Sequence, residues 1–173
     1  MKKSAILTIP EYFEHFINLI DDIELDDAFE KSIQQIDSID ISLFEKIGLQ
    51  TYAEGKWTVN KIIQHITDWE RIYCYRILLY VRHEGTIPPG HDEQKMADAS
   101  NADAIPITQL INELRSVRIA SRALFQSFND EQFMLSCKFL NYEMSVLALG
   151  FNIIGHQIHH LQVIQERYVP LIH

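Results

Sequence analysis

Six large apolar side chains, Ile62, Ile66, Trp69, Tyr73, Ile77 and Tyr80, follow one another at steps of four, three, four, four and three residues. An α-helix with one face turned to a core places such a series on one side. Thr58 stands just ahead of the run as its N-cap, and the pattern fades near His83-Glu84-Gly85. A single helix cannot bury such a stripe, because isolated helices draw most of their stability from packing on other elements. The fold must therefore supply further helices.

The rest of the chain provides them. Ile107, Leu110, Ile111, Leu114, Val117, Leu124, Phe125 and Phe128 form a second long stripe. Ser145 reads as the N-cap of a last helix that runs to about Tyr168, with Pro170 ending it. A first helix starts near Pro10 and carries Tyr12, Phe13, Phe16, Ile17 and Ile20. Residues 27–39 read as a further helical segment with Phe29, Ile33 and Ile36 inward. Residues 42–47 read as a turn, 51–56 as a loop, and 85–105, with Pro88, Pro89 and Gly90, as a long connection. Residues 130–135 add a helical turn, and 137–143 suit a short extended piece. Three long helices and one earlier segment predict an all-α four-helix bundle with short extra helical segments, in one domain over residues 1–173. A chain of 173 residues that is 47% hydrophobic can bury a core without disulfide staples.

Charge and cysteine content remove several function classes. The net charge is −9 and no lysine or arginine run interrupts it, which argues against nucleic-acid binding. Cys74 and Cys137 are far apart, match no zinc spacing, and read as free structural thiols. No apolar run approaches the roughly 20 residues of a membrane span. The N-terminal apolar stretch runs straight into Pro10-Glu11 and is too short for a signal peptide. A cytoplasmic protein with no membrane partner is expected.

The histidines carry the chemistry. His15, His83, His91 and His173 read as solvated or simply hydrogen-bonded. The last helix holds Gly155-His156-Gln157-Ile158-His159-His160. At about 100° per residue, His156 and His160 point about 40° apart, on the side of Leu149, Ile153, Val163 and Ile164. His159 turns the other way, toward Asn152 and Glu166. His65 stands at the edge of the earlier stripe, near Ile62, Trp69 and Ile72. Face-to-face packing of the two helices would bring three imidazoles together. That is a donor set for one divalent metal, with Asp68 as a candidate acceptor for a ring N–H. Glu70 and Glu166 lie elsewhere on their helices. Spacing alone leaves open the alternative of histidines packed and hydrogen-bonded at a helix interface. The zinc-protease motif His-Glu-x-x-His is absent.

Lys56-Trp57-Thr58-Val59 with Gln64-His65-Ile66-Thr67-Asp68 resembles the motif opening the second bundle helix of DinB-like proteins. The run from Gly155-His156 to Val163-Ile164 resembles that family's last-helix motif, and the order and separation of the two motifs also fit. The resemblance implies a four-helix bundle, usually a homodimer, with metal ligands at His65, His156 and His160. Zinc or nickel suits three neutral imidazoles with an open position. Characterised members of the family include bacillithiol- and mycothiol-dependent transferases and a mycothiol-using isomerase. The resemblance therefore implies a low-molecular-weight thiol cofactor and a small-molecule electrophile as substrate. A hydrolase using metal-activated water is the alternative, and a non-enzymatic metal-binding stress-response dimer is a third reading. Trp69, Tyr73 and Arg76 follow His65 along its helix and are candidates to line the pocket, with Arg76 suited to a substrate carboxylate.

Overall fold

The computed structural model describes residues 1–86 and 89–172; Ile87, Pro88 and His173 lie outside them. The described residues form helices α1 (Glu11–Asn18), α2 (Leu25–Asp37), α3 (Ile41–Ile47), α4 (Val59–Val81), α5 (Glu93–Ala99), α6 (Ile107–Gln126), α7 (Asp130–Phe133) and α8 (Val146–Val163). A hairpin of β1 (Ser136–Phe139) and β2 (Tyr142–Ser145) leads into α8, with Cys137 opposite Met144 and Phe139 opposite Tyr142. No helix of the described residues is long and apolar enough to cross a membrane.

The four-helix bundle consists of α2, α4, α6 and α8. Both α6 and α8 pack on α2 and on α4, so α2 and α4 take opposite corners. The two long site helices start at side-chain caps. Thr58 Oγ1 accepts from the Lys61 amide at 3.1 Å, and Ser145 Oγ accepts from the Ala148 amide at 3.1 Å. Every residue from 146 to 155 is buried. A helix stretch that is apolar on all sides belongs in the interior, and here α1, α2, α4 and the hairpin surround it. Gly155 is required where α1 crosses, because a Cβ there would collide with the Phe16 carbonyl oxygen.

Two apolar clusters fill the interior. One gathers Phe13, Phe29, Ile77, Phe125 and Phe151, and the other gathers Ile36, Ile66, Leu114, Ile164 and Tyr168. On α2, α4, α6 and α8 the boundary between them falls at Ser32, Glu70, Arg118 and Gln157, all buried and polar. The bundle is thus interrupted by a polar layer, and His156 sits beside it in sequence.

Three expectations change. Residues 42–47 are helical, not a turn: Asp40 caps α3 by accepting from the Leu43 amide at 3.1 Å, and Phe44 and Ile47 are buried. The connection 85–105 contains α5 and a 3₁₀ turn, Ala102–Ala104. Small Ala97 and Ala102 make its buried contacts, so no large-residue stripe marked it. Finally, α8 does not stay α-helical to Tyr168. The chain widens into a π-helical stretch, Ile164–Tyr168, and then tightens to 3₁₀ over Val169–Ile172, through Pro170. The Tyr168 hydroxyl donates to the Trp57 carbonyl at 2.5 Å, which ties this end of the chain to the residue preceding the Thr58 cap.

Candidate metal centre

The packing of α4 on α8 brings His65, His156 and His160 together. His65 Nε2 and His160 Nε2 each lie 3.1 Å from His156 Nε2. One ligand nitrogen from each ring falls within 4.8 Å of the others, so the three could hold a single ion. Hydrogen bonding alone serves this cluster poorly. A neutral imidazole nitrogen is either a donor or an acceptor, yet His156 Nε2 faces two equivalent nitrogens at the same distance. A cation among three lone pairs uses all of them, so the donor set fits a metal.

Electrostatics prepares the same state. Burial pushes the pKa of His65 down to about 3. Burial, followed by the neighbouring histidines, holds His156 and His160 well below the ordinary value of 6.5. All three rings are therefore neutral at pH 7, the form that ligates. Aromatic rings fix their orientation. The Trp57 ring lies 4.7 Å from that of His65, and Phe16, held against α8 at Gly155, lies 5.6 Å from that of His156.

His159 stands outside the triad, as its helical angle predicts. Its Nδ1 lies 3.0 Å from His15 Nε2, a pairing that links α1 to α8. Asp68 does not take the expected place. Its carboxylate accepts from Gln64 Nε2 at 2.9 Å and lies 3.5 Å from Arg71 Nη1, with no bond to a histidine ring among the described residues. Asp68 stands four residues after Gln64, and side chains at that spacing are neighbours on a helix.

Two cavities open beside the triad. One of about 400 Å³ includes His156, Trp69, Tyr73, Arg76, Phe16 and Tyr142 in its wall, so the three pocket candidates on α4 share it with a triad histidine. The other, of about 280 Å³, reaches His160 between Trp57, Tyr52 and Tyr168. The α4 stripe is thus divided in use: Ile62, Ile66 and Ile77 enter the core, and Trp69 and Tyr73 face the cavity.

One buried group was not recognised in the sequence. Arg118 is 0% exposed, donates to Glu70 through Nε and Nη2, and reaches Ser32 Oγ from Nη1 at 2.9 Å and the Ile153 carbonyl at 3.4 Å. Gln157, beside His156, donates to the Ser32 carbonyl at 3.2 Å and to Gln35 at 2.9 Å. The network joins α2, α4, α6 and α8 next to the triad. The sequence held a signal: Arg118 and Glu70 both interrupt apolar stripes, four residues after Leu114 and Ile66.

The family model described as the DinB superfamily matches residues 9–164. The chain belongs to the DinB superfamily. A candidate metal-dependent hydrolase of Oceanobacillus iheyensis is 26% identical over 113 residues, a match spanning 65% of this chain and 65% of that protein. YfiT of Bacillus subtilis, described as a candidate metal-dependent hydrolase with an unusual four-helix bundle topology, superimposes with a TM-score of 0.67. It is 18% identical, and the match covers 95% of this chain and 91% of YfiT. The mycothiol-dependent maleylpyruvate isomerase superimposes with a TM-score of 0.58 at 15% identity, over 88% of this chain and 60% of the isomerase. These structural likenesses establish the helical-bundle fold.

Proposed function

We propose that this DinB protein is a metal-dependent enzyme in which His65, His156 and His160 hold one divalent ion, zinc or nickel by donor type, and that it transfers a small thiol to an electrophile. The observation that carries the reading is a three-histidine cluster bordered by a cavity of about 400 Å³. Three protein ligands leave a coordination position open, whereas a purely structural zinc site closes with four. Bound there, the ion would act as a Lewis acid that lowers the pKa of a coordinated thiol or water. The chain's residues do the rest. The triad stays neutral through burial, Phe16 and Trp57 shield its rings, and the aromatic wall receives the body of a small substrate. The likeness to the mycothiol-dependent maleylpyruvate isomerase supports the thiol-transfer reading.

Hydrolysis is the second reading. It is supported by what the relatives from Oceanobacillus and Bacillus are called. One set of measurements separates the two. Protein purified without a metal-affinity tag should carry close to one metal per chain. His156→Ala should remove it and His159→Ala should not. The metal-loaded protein, given a panel of low-molecular-weight thiols and a chlorinated nitroarene, should form the thioether faster than the metal-free protein does. Cleavage of activated esters without conjugation would select the hydrolase. Absence of metal after supplementation would overturn both.

A further inference from the structure

The larger cavity contains a cation that the metal reading does not use. Arg76 is 2% exposed, yet no carboxylate forms an ion pair with it among the described residues. Its Nη2 donates to the Pro89 carbonyl at 3.3 Å, and its fully buried Nε has no partner among the described residues. The guanidinium carbon lies 4.9 Å from the Phe139 ring, 5.7 Å from Tyr73 and 5.8 Å from Trp69. Aromatic faces attract a cation but satisfy none of its N–H groups. A buried, underused guanidinium is costly unless something completes it, and arginine keeps its charge under burial. The other interior cation, Arg118, is neutralised by Glu70 in the same bundle. Among the described residues, the fold thus pairs Arg118 with a carboxylate and leaves Arg76, on the cavity wall, without one.

We propose that Arg76 is the docking group for the carboxylate of a small, aromatic or apolar acid whose far end reaches the His156 side of the cavity. The assignment rests on reading the triad as the reacting end. A planar carboxylate matches the guanidinium fork. One positive charge favours a monoanion over a dianionic phosphate, because exposed Asp92 and Glu93 share the wall.

Isothermal titration calorimetry with phenylacetate, phenylacetamide and phenyl phosphate tests this, using metal-free and metal-loaded protein whose metal content is measured on the same samples. The metal-free arm excludes carboxylate binding to the ion and keeps the result independent of the metal proposal. Phenylacetate should bind about tenfold or more tighter than the amide in both forms, the scale of one charged hydrogen bond. Arg76→Gln should abolish that preference, and Arg76→Lys should retain part of it, with metal content unchanged. Equal binding of acid and amide, no phenylacetate binding at millimolar concentration, preference for phenyl phosphate, or a preference that survives Arg76→Gln would each overturn the assignment. The wild-type comparison decides the matter even if the glutamine variant does not fold.

Discussion

Glu70 Oε2 accepts from Arg118 Nη2 at 2.8 Å, and the two side chains are 1% and 0% exposed. This ion pair joins α4 to α6. Through Ser32 and the Ile153 carbonyl it also engages α2 and α8. On α4 Glu70 lies five residues beyond His65, and on α8 Ile153 lies three residues before His156. Its polar geometry fixes how the two ligand-bearing helices face each other, which apolar packing alone would specify less tightly.

Glu70→Gln should therefore weaken both fold and site. It leaves the Arg118 charge buried without its counter-ion, an effect of about 3–5 kcal/mol. The urea midpoint should fall, and zinc affinity, measured by competition with a chelator, should fall with it. An unchanged midpoint would mean that Ser32 and the Ile153 carbonyl suffice for the guanidinium.

Gly155→Ala should displace α1. The obstructing atom is backbone oxygen at Phe16, which cannot rotate aside, so about 1–3 kcal/mol of stability should be lost. At Gly150→Ala the nearest atoms belong to the side chains of Leu25 and Phe125, which can shift, so it should cost less. Thermal unfolding of the two variants checks the order. A reversed order would show that α1 yields easily and does not hold Phe16 in place.

The cysteines should be inert in the folded protein. Burial pushes the pKa of Cys74 up to about 11 and that of Cys137 up to about 12, from an ordinary 9.0. At pH 8 about one Cys74 in a thousand is thiolate, so iodoacetamide should label native protein slowly and urea-unfolded protein at both sites. Because the unfolded chain loses these protons first, the stabilising contribution is complete below pH 9 and declines as pH rises through 11 to 12. Rapid native labelling at pH 8 would show that one thiol is activated.

Particular residues show how far the sequence could be read. The α4 stripe, the Thr58 and Ser145 caps, and the 40° separation of His156 from His160 are local, because helical periodicity and capping are set within a few turns of chain. They sufficed for the bundle and for choosing His160 over His159. The partner of a polar side chain is not local. Asp68 turned to Gln64, Glu70 found Arg118 across the bundle, and α5 hid behind small alanines. Only tertiary packing placed His65 Nε2 3.1 Å from His156 Nε2, paired Arg118 with a carboxylate and, among the described residues, left Arg76 without one. Those outcomes depend on which helices become neighbours and at what depth each charge is buried, and no single helix encodes either.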